Sequence, residues 1–165
     1  MTRPIEVPHY SAKLKTPFAV LGISTNGSAL TAMTYLPLTE RAAAPTDRIA
    51  GQAVRELERY LTDPECRFTV ALAPAGTAFQ QRVWAALSAI PRGQFRTYGE
   101  IARLVGTAPR AIGQACGANR IALIIPCHRV VGAQGSLGGF MNAQDGNPIA
   151  IKRWLLVHEG YRFGA

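Results

Sequence analysis

The chain predicts an α/β protein of two unlike lobes: a small α/β lobe over residues 1–75 and a mainly helical lobe with a helix-turn-helix over 76–165. Three observations predict this. Two apolar runs flank an Asn-Gly pair near the N-terminus, helical periodicities dominate after residue 77, and Pro74-Ala75-Gly76 forms a hinge between the halves. Residues 18–24 and 28–35 read as strands, because Asn26-Gly27 between them suits a tight hairpin. Pro37 to Pro45 is a loop. Ile49, Ala53, Leu57 and Leu61 then recur at helical spacing, with Thr46 or Asp47 as the start signal. Arg67 to Ala73 is expected to be a third strand. In the second lobe, Thr77 caps a helix with the apolar face Phe79, Val83, Leu87 and Ile90, stopped by Pro91 and Gly93. Tyr98 to Leu104 is a short helix ended by Val105-Gly106, and Pro109 opens another that runs to about Gly117. Two short helices about a Gly-containing turn fit a helix-turn-helix. Asn147-Pro148 starts a last helix that passes Trp154 and Leu155 to His158, with Gly160 as its cap.

Composition narrows the function. No apolar stretch of 18 residues exists to span a membrane, and Met1-Thr2-Arg3-Pro4 lacks the apolar segment of a secretory signal. Cys66, Cys116 and Cys127 are odd in number and have no CxxC spacing, which argues against a disulfide framework or zinc knuckle and for a reducing cytoplasm. The formal net charge of +8 points to a polyanionic partner, although solubility alone is the plainer reading. Arg82, Arg92, Arg96, Arg103, Arg110, Arg120 and Arg129 all lie in the second lobe. His9 and Cys66 are expected to be incidental, and no chemical constellation is evident before residue 76.

The run Ile124-Ile125-Pro126-Cys127-His128-Arg129-Val130-Val131 places a thiol beside an imidazole. A cysteine attacks as thiolate, and its reference pKa of about 8.5 leaves a few per cent in that form near neutrality. A histidine oriented by a carboxylate raises that fraction. Pro126 fixes its own φ and biases Ile125 toward extended backbone, so the thiol is expected at a rigid strand-to-turn corner. The pair alone is a weak signal, more often a buried small hydrophobe beside a capping histidine than a reactive site. The helix Arg110 to Asn119 is rich in small residues, which suits close approach to another surface or tight packing on a neighbour.

Several motifs in order carry a resemblance: Gly76-Thr77-Ala78-Phe79-Gln80-Gln81-Arg82-Val83-Trp84, Thr97-Tyr98-Gly99-Glu100-Ile101-Ala102, Arg110-Ala111-Ile112-Gly113, Gly117-Ala118-Asn119, Ile125 to Val130, and Lys152 to Gly160 with His158-Glu159-Gly160. Residues 76–160 resemble the O6-alkylguanine-DNA alkyltransferases, and residues 1–75 match only in general character. The resemblance implies an RNase H-like first lobe and single-turnover transfer of an alkyl group from O6-alkylguanine, and from O4-alkylthymine, in duplex DNA. It makes Cys127 the acceptor, His128 and Glu159 the relay that deprotonates it, and Asn119 the tie between recognition helix and active-site turn. Tyr98 becomes the donor to the guanine ring. Arg110 becomes the finger that fills the stack when the base is extruded, with Ala111 and Gly113 on the helix face in the minor groove. Gln80, Arg120 and the backbone near Ala133 are expected phosphate contacts, and Cys116, Val130, Gly138, Phe140 and Met141 line the substrate pocket. No cofactor or metal is implied, and a monomer is expected, with cooperativity on DNA left open.

Two features depart from the family pattern. Phe140 replaces its tyrosine and Met141 stands where some members carry serine, while about five extra residues within Asn142 to Pro148 lengthen the following loop. Loss of these hydroxyls predicts that methyl lesions are still repaired with an altered preference among bulkier alkyl groups. Three other readings compete. An alkyltransferase-like lesion sensor would lack the reactive cysteine. A helix-turn-helix regulator would leave Pro126-Cys127-His128-Arg129 and Glu159 idle, and a cysteine hydrolase would need an oxyanion site that the sequence does not reveal.

Overall fold

The computed structural model describes residues 9–141 and 147–163. Its first lobe is an antiparallel sheet in the order β1 (Ala12–Lys15), β2 (Val20–Thr25), β3 (Leu30–Leu36), covered by α1 (Arg48–Thr62). The hairpin about Asn26-Gly27 is present, with Gly27 at φ 88° as a tight turn requires. Strand β1 was absent from the sequence reading. It is a short edge strand whose Lys13 and Lys15 disguise its apolar pattern, a usual way of protecting a sheet edge. Helix α1 starts at Asp47, whose side chain accepts from the Ala50 amide.

The expected third strand at 67–73 is not formed. Residues Ala71 to Ala73 make a single parallel bridge to Leu30, and upstream of it the buried carboxylate of Glu56 takes the amides of Thr69 and Val70. Those donors are spent on a side chain, so no ladder can propagate.

The second lobe contains α2 (Ala78–Ser88), β4 (Arg96–Thr97), α3 (Tyr98–Val105), α4 (Pro109–Gly117), β5 (Val130–Val131) and α5 (Asn147–His158). Thr77 with Gln80 and Thr97 with Glu100 form capping boxes that fix the starts of α2 and α3. Gly106, left-handed at φ 83°, ends α3 and turns the chain into α4, giving the helix-turn-helix. Strands β4 and β5 pair in parallel across more than thirty residues, a contact that no local pattern announces. The run before Cys127 is no strand either. Ala122 and Ile125 form an isolated bridge about Leu123, which has φ 92°.

One hydrophobic core crosses both lobes, including Ile23, Leu30, Leu57 and Tyr60 from the first and Leu87, Ile112, Ile121 and Leu155 from the second. Polar ties join them too. The Met33 amide donates to Arg120 O at 2.8 Å, and the Tyr35 hydroxyl donates to Ala122 O at 2.7 Å. Among the described residues, no helix is long and apolar enough to cross a membrane.

Candidate active site

Cys127 opens a single 3-10 turn, Cys127–Arg129, that leads directly into β5. Asn119, just beyond α4, holds this turn. Its Nδ2 donates to Ile125 O at 2.9 Å, and its Oδ1 accepts from the Ile121 amide at 3.0 Å. The Trp84 indole donates to Ala115 O at 2.8 Å and pins α4 to α2. The recognition helix, the apolar bridge and the thiol are therefore one rigid unit.

Behind the turn lies a saturated carboxylate. His128, fully buried, contacts Glu159 Oε1 through Nε2 at 2.8 Å. Arg129 donates from Nε to Oε2 at 2.9 Å and from Nη2 to Oε1 at 3.0 Å, while its Nη1 donates to Ile90 O at 2.7 Å. The Tyr60 hydroxyl donates to Oε1 at 2.9 Å. Burial alone would raise the Glu159 pKa, but the hydrogen bonds and charges of His128 and Arg129 outweigh it and hold the carboxyl well below its usual range. An ionised carboxylate only accepts, so Nε2 carries the proton and Nδ1 keeps the lone pair of the neutral ring. Among the described residues that buried Nδ1 has no hydrogen-bond partner. Burial also lowers the His128 pKa against the pull of Glu159, which keeps the ring neutral and ready to accept.

In front of the turn is a cavity of about 470 Å³ whose lining includes Tyr98, Arg110, Gly113, Cys116, Cys127, Gly138, Phe140 and Met141. Burial pushes the Cys127 thiol up to about 11, with Asn119 and the Lys152 ammonium pulling the other way. The resting cysteine is a protected thiol. Tyr98 is likewise raised, by burial first and then by Cys116 and Cys127, so it stays a neutral donor, here giving its hydroxyl proton to Gly139 O at 3.2 Å. Burial raises the Cys116 thiol strongly as well, and its side chain forms part of the cavity wall. Gly138 lies at φ 72°, and a Cβ there would come within 2.7 Å of the Tyr98 ring. Only glycine lets this loop close over the tyrosine.

The remaining expected residues are more scattered. Val130 does not line the cavity. It is fully buried in β5, and it is its carbonyl that matters, accepting from Lys152 Nζ at 2.6 Å. Gln80 accepts the Thr77 amide with its Oε1 in the capping box. Ala111 is half-buried on α4, Arg110 and Arg120 are exposed, and Ala133 is exposed beside Gly132 at the cavity mouth. Arg129, counted with the arginines of the basic lobe, is buried and committed to Glu159. Of the segment Asn142 to Pro148, where about five extra residues are expected, residues 142–146 lie outside the described residues and Asn147-Pro148 open α5.

Sequence reasoning assigned no role to Lys152, Arg129 or Tyr60. Lys152 is fully buried, donates also to Gly139 O at 2.8 Å, and is lowered to about 8 by burial. A lysine between Ile151 and Leu155, on the core row of α5, was the available clue. Arg129 could have been flagged by its place in the motif. Nothing local distinguishes Tyr60.

A buried thiol with a neutral imidazole and a carboxylate behind it, opening on a cavity beside a helix-turn-helix, defines a thiol-based acceptor built onto a nucleic-acid-binding scaffold. Residues 78–161 match the family described as 6-O-methylguanine DNA methyltransferase, DNA binding domain. A methylated-DNA–protein-cysteine methyltransferase of Mycobacterium tuberculosis is 41% identical over 160 residues, covering 93% of each chain, so the similarity reaches well into the first lobe. One from Methanosarcina acetivorans is 50% identical over 111 residues, 66% of this chain and 68% of its own. The crystal structure of the M. tuberculosis O6-methylguanine methyltransferase in complex with DNA superposes with a TM-score of 0.77 at 42% identity, covering 89% of this chain and 90% of that one. The chain belongs to the O6-alkylguanine-DNA alkyltransferases, the methylated-DNA–protein-cysteine methyltransferases.

Proposed function

We propose that this protein reverses alkylation of duplex DNA by moving the alkyl group of O6-alkylguanine, and of O4-alkylthymine, onto Cys127, once per molecule. The observation that carries the reading is Cys127 on the wall of the cavity, backed by a histidine whose Nε2 is held by Glu159 and whose Nδ1 is unpartnered. In the proposed step the thiol proton passes to His128 Nδ1, directly or through water, and the sulfur lone pair attacks the alkyl carbon. The C–O bond breaks and its electrons go to the guanine oxygen. The base recovers a proton, and Tyr98, held neutral, supplies a hydrogen bond to the developing charge. The thioether product does not hydrolyse, so the cysteine is consumed.

The target atom lies inside the duplex, so the nucleotide must be extruded. Arg110, exposed at the start of α4 and on the cavity rim, is suited to fill the vacated stack, and half-buried Ala111 and Gly113 permit close approach to the minor groove. Phe140 and Met141 themselves bring no hydroxyl to the cavity, which supports an altered ranking of bulky alkyl groups.

Intact mass after mixing with a duplex holding one O6-methylguanine tests the proposal. One added methyl, mapped to Cys127 and lost in Cys127→Ser, is expected. Tight binding with unmodified protein would instead make this chain a lesion sensor.

A further inference from the structure

The first lobe supplies one buried hydrogen bond to the relay, from a residue outside every motif of the site. Tyr60 sits on α1, is 1% exposed, and donates to the same Glu159 oxygen that receives His128 Nε2. Its surroundings fix that aim. The ring packs on Phe68 at 5.5 Å and edge-on against His158 at 5.0 Å, and His158 Nε2 lies 2.6 Å from the Tyr60 carbonyl. His158 immediately precedes Glu159, so α1 grips the end of α5 at both backbone and side chain.

We propose that Tyr60 is a positioning residue for alkyl transfer, through which the first lobe sets how strongly Glu159 pulls on His128; this rests on the proposed function above. Three donors compete for one oxygen. Oε1 accepts from His128, Arg129 Nη2 and Tyr60, and each further donor disperses the anionic charge and weakens the carboxylate as a partner for an imidazolium. Removing the hydroxyl frees a lone pair for His128 and raises the proton affinity of the ring. The other charged or titratable groups facing this cluster are Arg129 and Cys127 on the turn, Lys152 and His158 on α5, and Tyr35 on β3, and all remain in place.

The test is Tyr60→Phe, which keeps the ring, in the full chain. Titration of the His128 ring followed by NMR is expected to move up by about half to one pH unit. The acid limb of the single-turnover methyl-transfer rate should move up with it, while affinity for undamaged duplex stays within twofold. A ring titration and a rate profile that both superimpose on the unsubstituted protein would overturn the proposal, whatever the change in melting temperature. If Tyr60→Phe does not fold, 3-fluorotyrosine placed at position 60, a stronger donor of the same shape, must shift the His128 titration downward, and an unmoved titration overturns the proposal. The NMR readout needs no alkyl transfer. A shifted titration in a protein that never takes up methyl would therefore sink the proposed function while leaving the Tyr60 coupling standing.

Discussion

The two sides of the Cys127–Arg129 turn are built on opposite principles. Behind it, Glu159 is bound by three residues through four contacts, all buried, so the His128 ring has one orientation and one tautomer. In front, the cavity is walled by Gly113, Gly132, Gly138 and Gly139 together with Tyr98 and Cys116, and its loop takes left-handed backbone at Gly138 and Met141. The rear is over-determined and the front is permissive. A reaction that must accept an alkyl group of variable size while holding its proton path fixed needs this division. The energy that orients the base comes from the core, and the glycine-rich loop facing it leaves room in the cavity.

Substitutions on either side can break the comparison. The largest effect is expected from Cys127→Ser, which removes the nucleophile. Methyl uptake by mass should be abolished, with stability within about 1 kcal/mol because the side chain is nearly isosteric. Next is Glu159→Gln behind the turn. It leaves Arg129 buried without its counter-charge, so a loss of about 3–5 kcal/mol is expected by denaturant unfolding, with a fall of about 10²-fold or more in transfer rate. A stability within 1 kcal/mol of the parent would show that the rear is not the anchor described.

Gly138→Ala probes the front. Its added Cβ meets the Tyr98 ring at a positive φ, so a cost of about 1–2 kcal/mol and roughly tenfold slower transfer are expected from the same two assays. If the loop yields without loss, the cavity is even more permissive than its geometry implies.

Acid probes the rear by a different route. His128 has a lowered pKa when folded and about 6.5 unfolded, so below pH 6.5 the unfolded chain binds the extra proton and stability falls as pH falls. Glu159, lowered from about 4.5, adds a second loss of the same sign as pH drops through that value. Melting temperature against pH should therefore decline in two stages, and the second should shrink in Glu159→Gln to the part contributed by Asp47 and Glu56, whose carboxyls are also held low. The smallest effect is reserved for Phe140→Tyr. Methyl transfer should stay within about threefold, while competition between methyl- and benzyl-guanine duplexes changes rank. An unchanged rank would remove Phe140 as a determinant of the preference.

Much of this was legible in the chain because the signals are local. The capping residue Thr77, Gly106 after α3 and Pro109 at the start of α4 each act within one helical turn, and they place these helices nearly to the residue, whereas the cap at Thr97 went unread. Cys127 and His128 are neighbours in sequence, so their juxtaposition on one turn could be read directly. Illegible were the contacts whose partners are far apart. Arg67 to Ala73 has strand-like residues, yet Glu56 diverts its amides, and β4 pairs with β5 only because the packed helices bring them together. Val130 was assigned to the cavity wall since sequence gives adjacency without direction.

The sequence by itself thus determined the helical order, the basic second lobe and the placing of a thiol beside an imidazole, for these depend on residue type and short spacing. Only the tertiary structure decided that Arg129 is a core cation and not a free one, that Lys152 braces the cavity loop, and that Tyr60 from the other lobe reaches Glu159. The physical reason is that a buried charge must find its partners wherever the fold places them, and those partners leave no trace in local pattern.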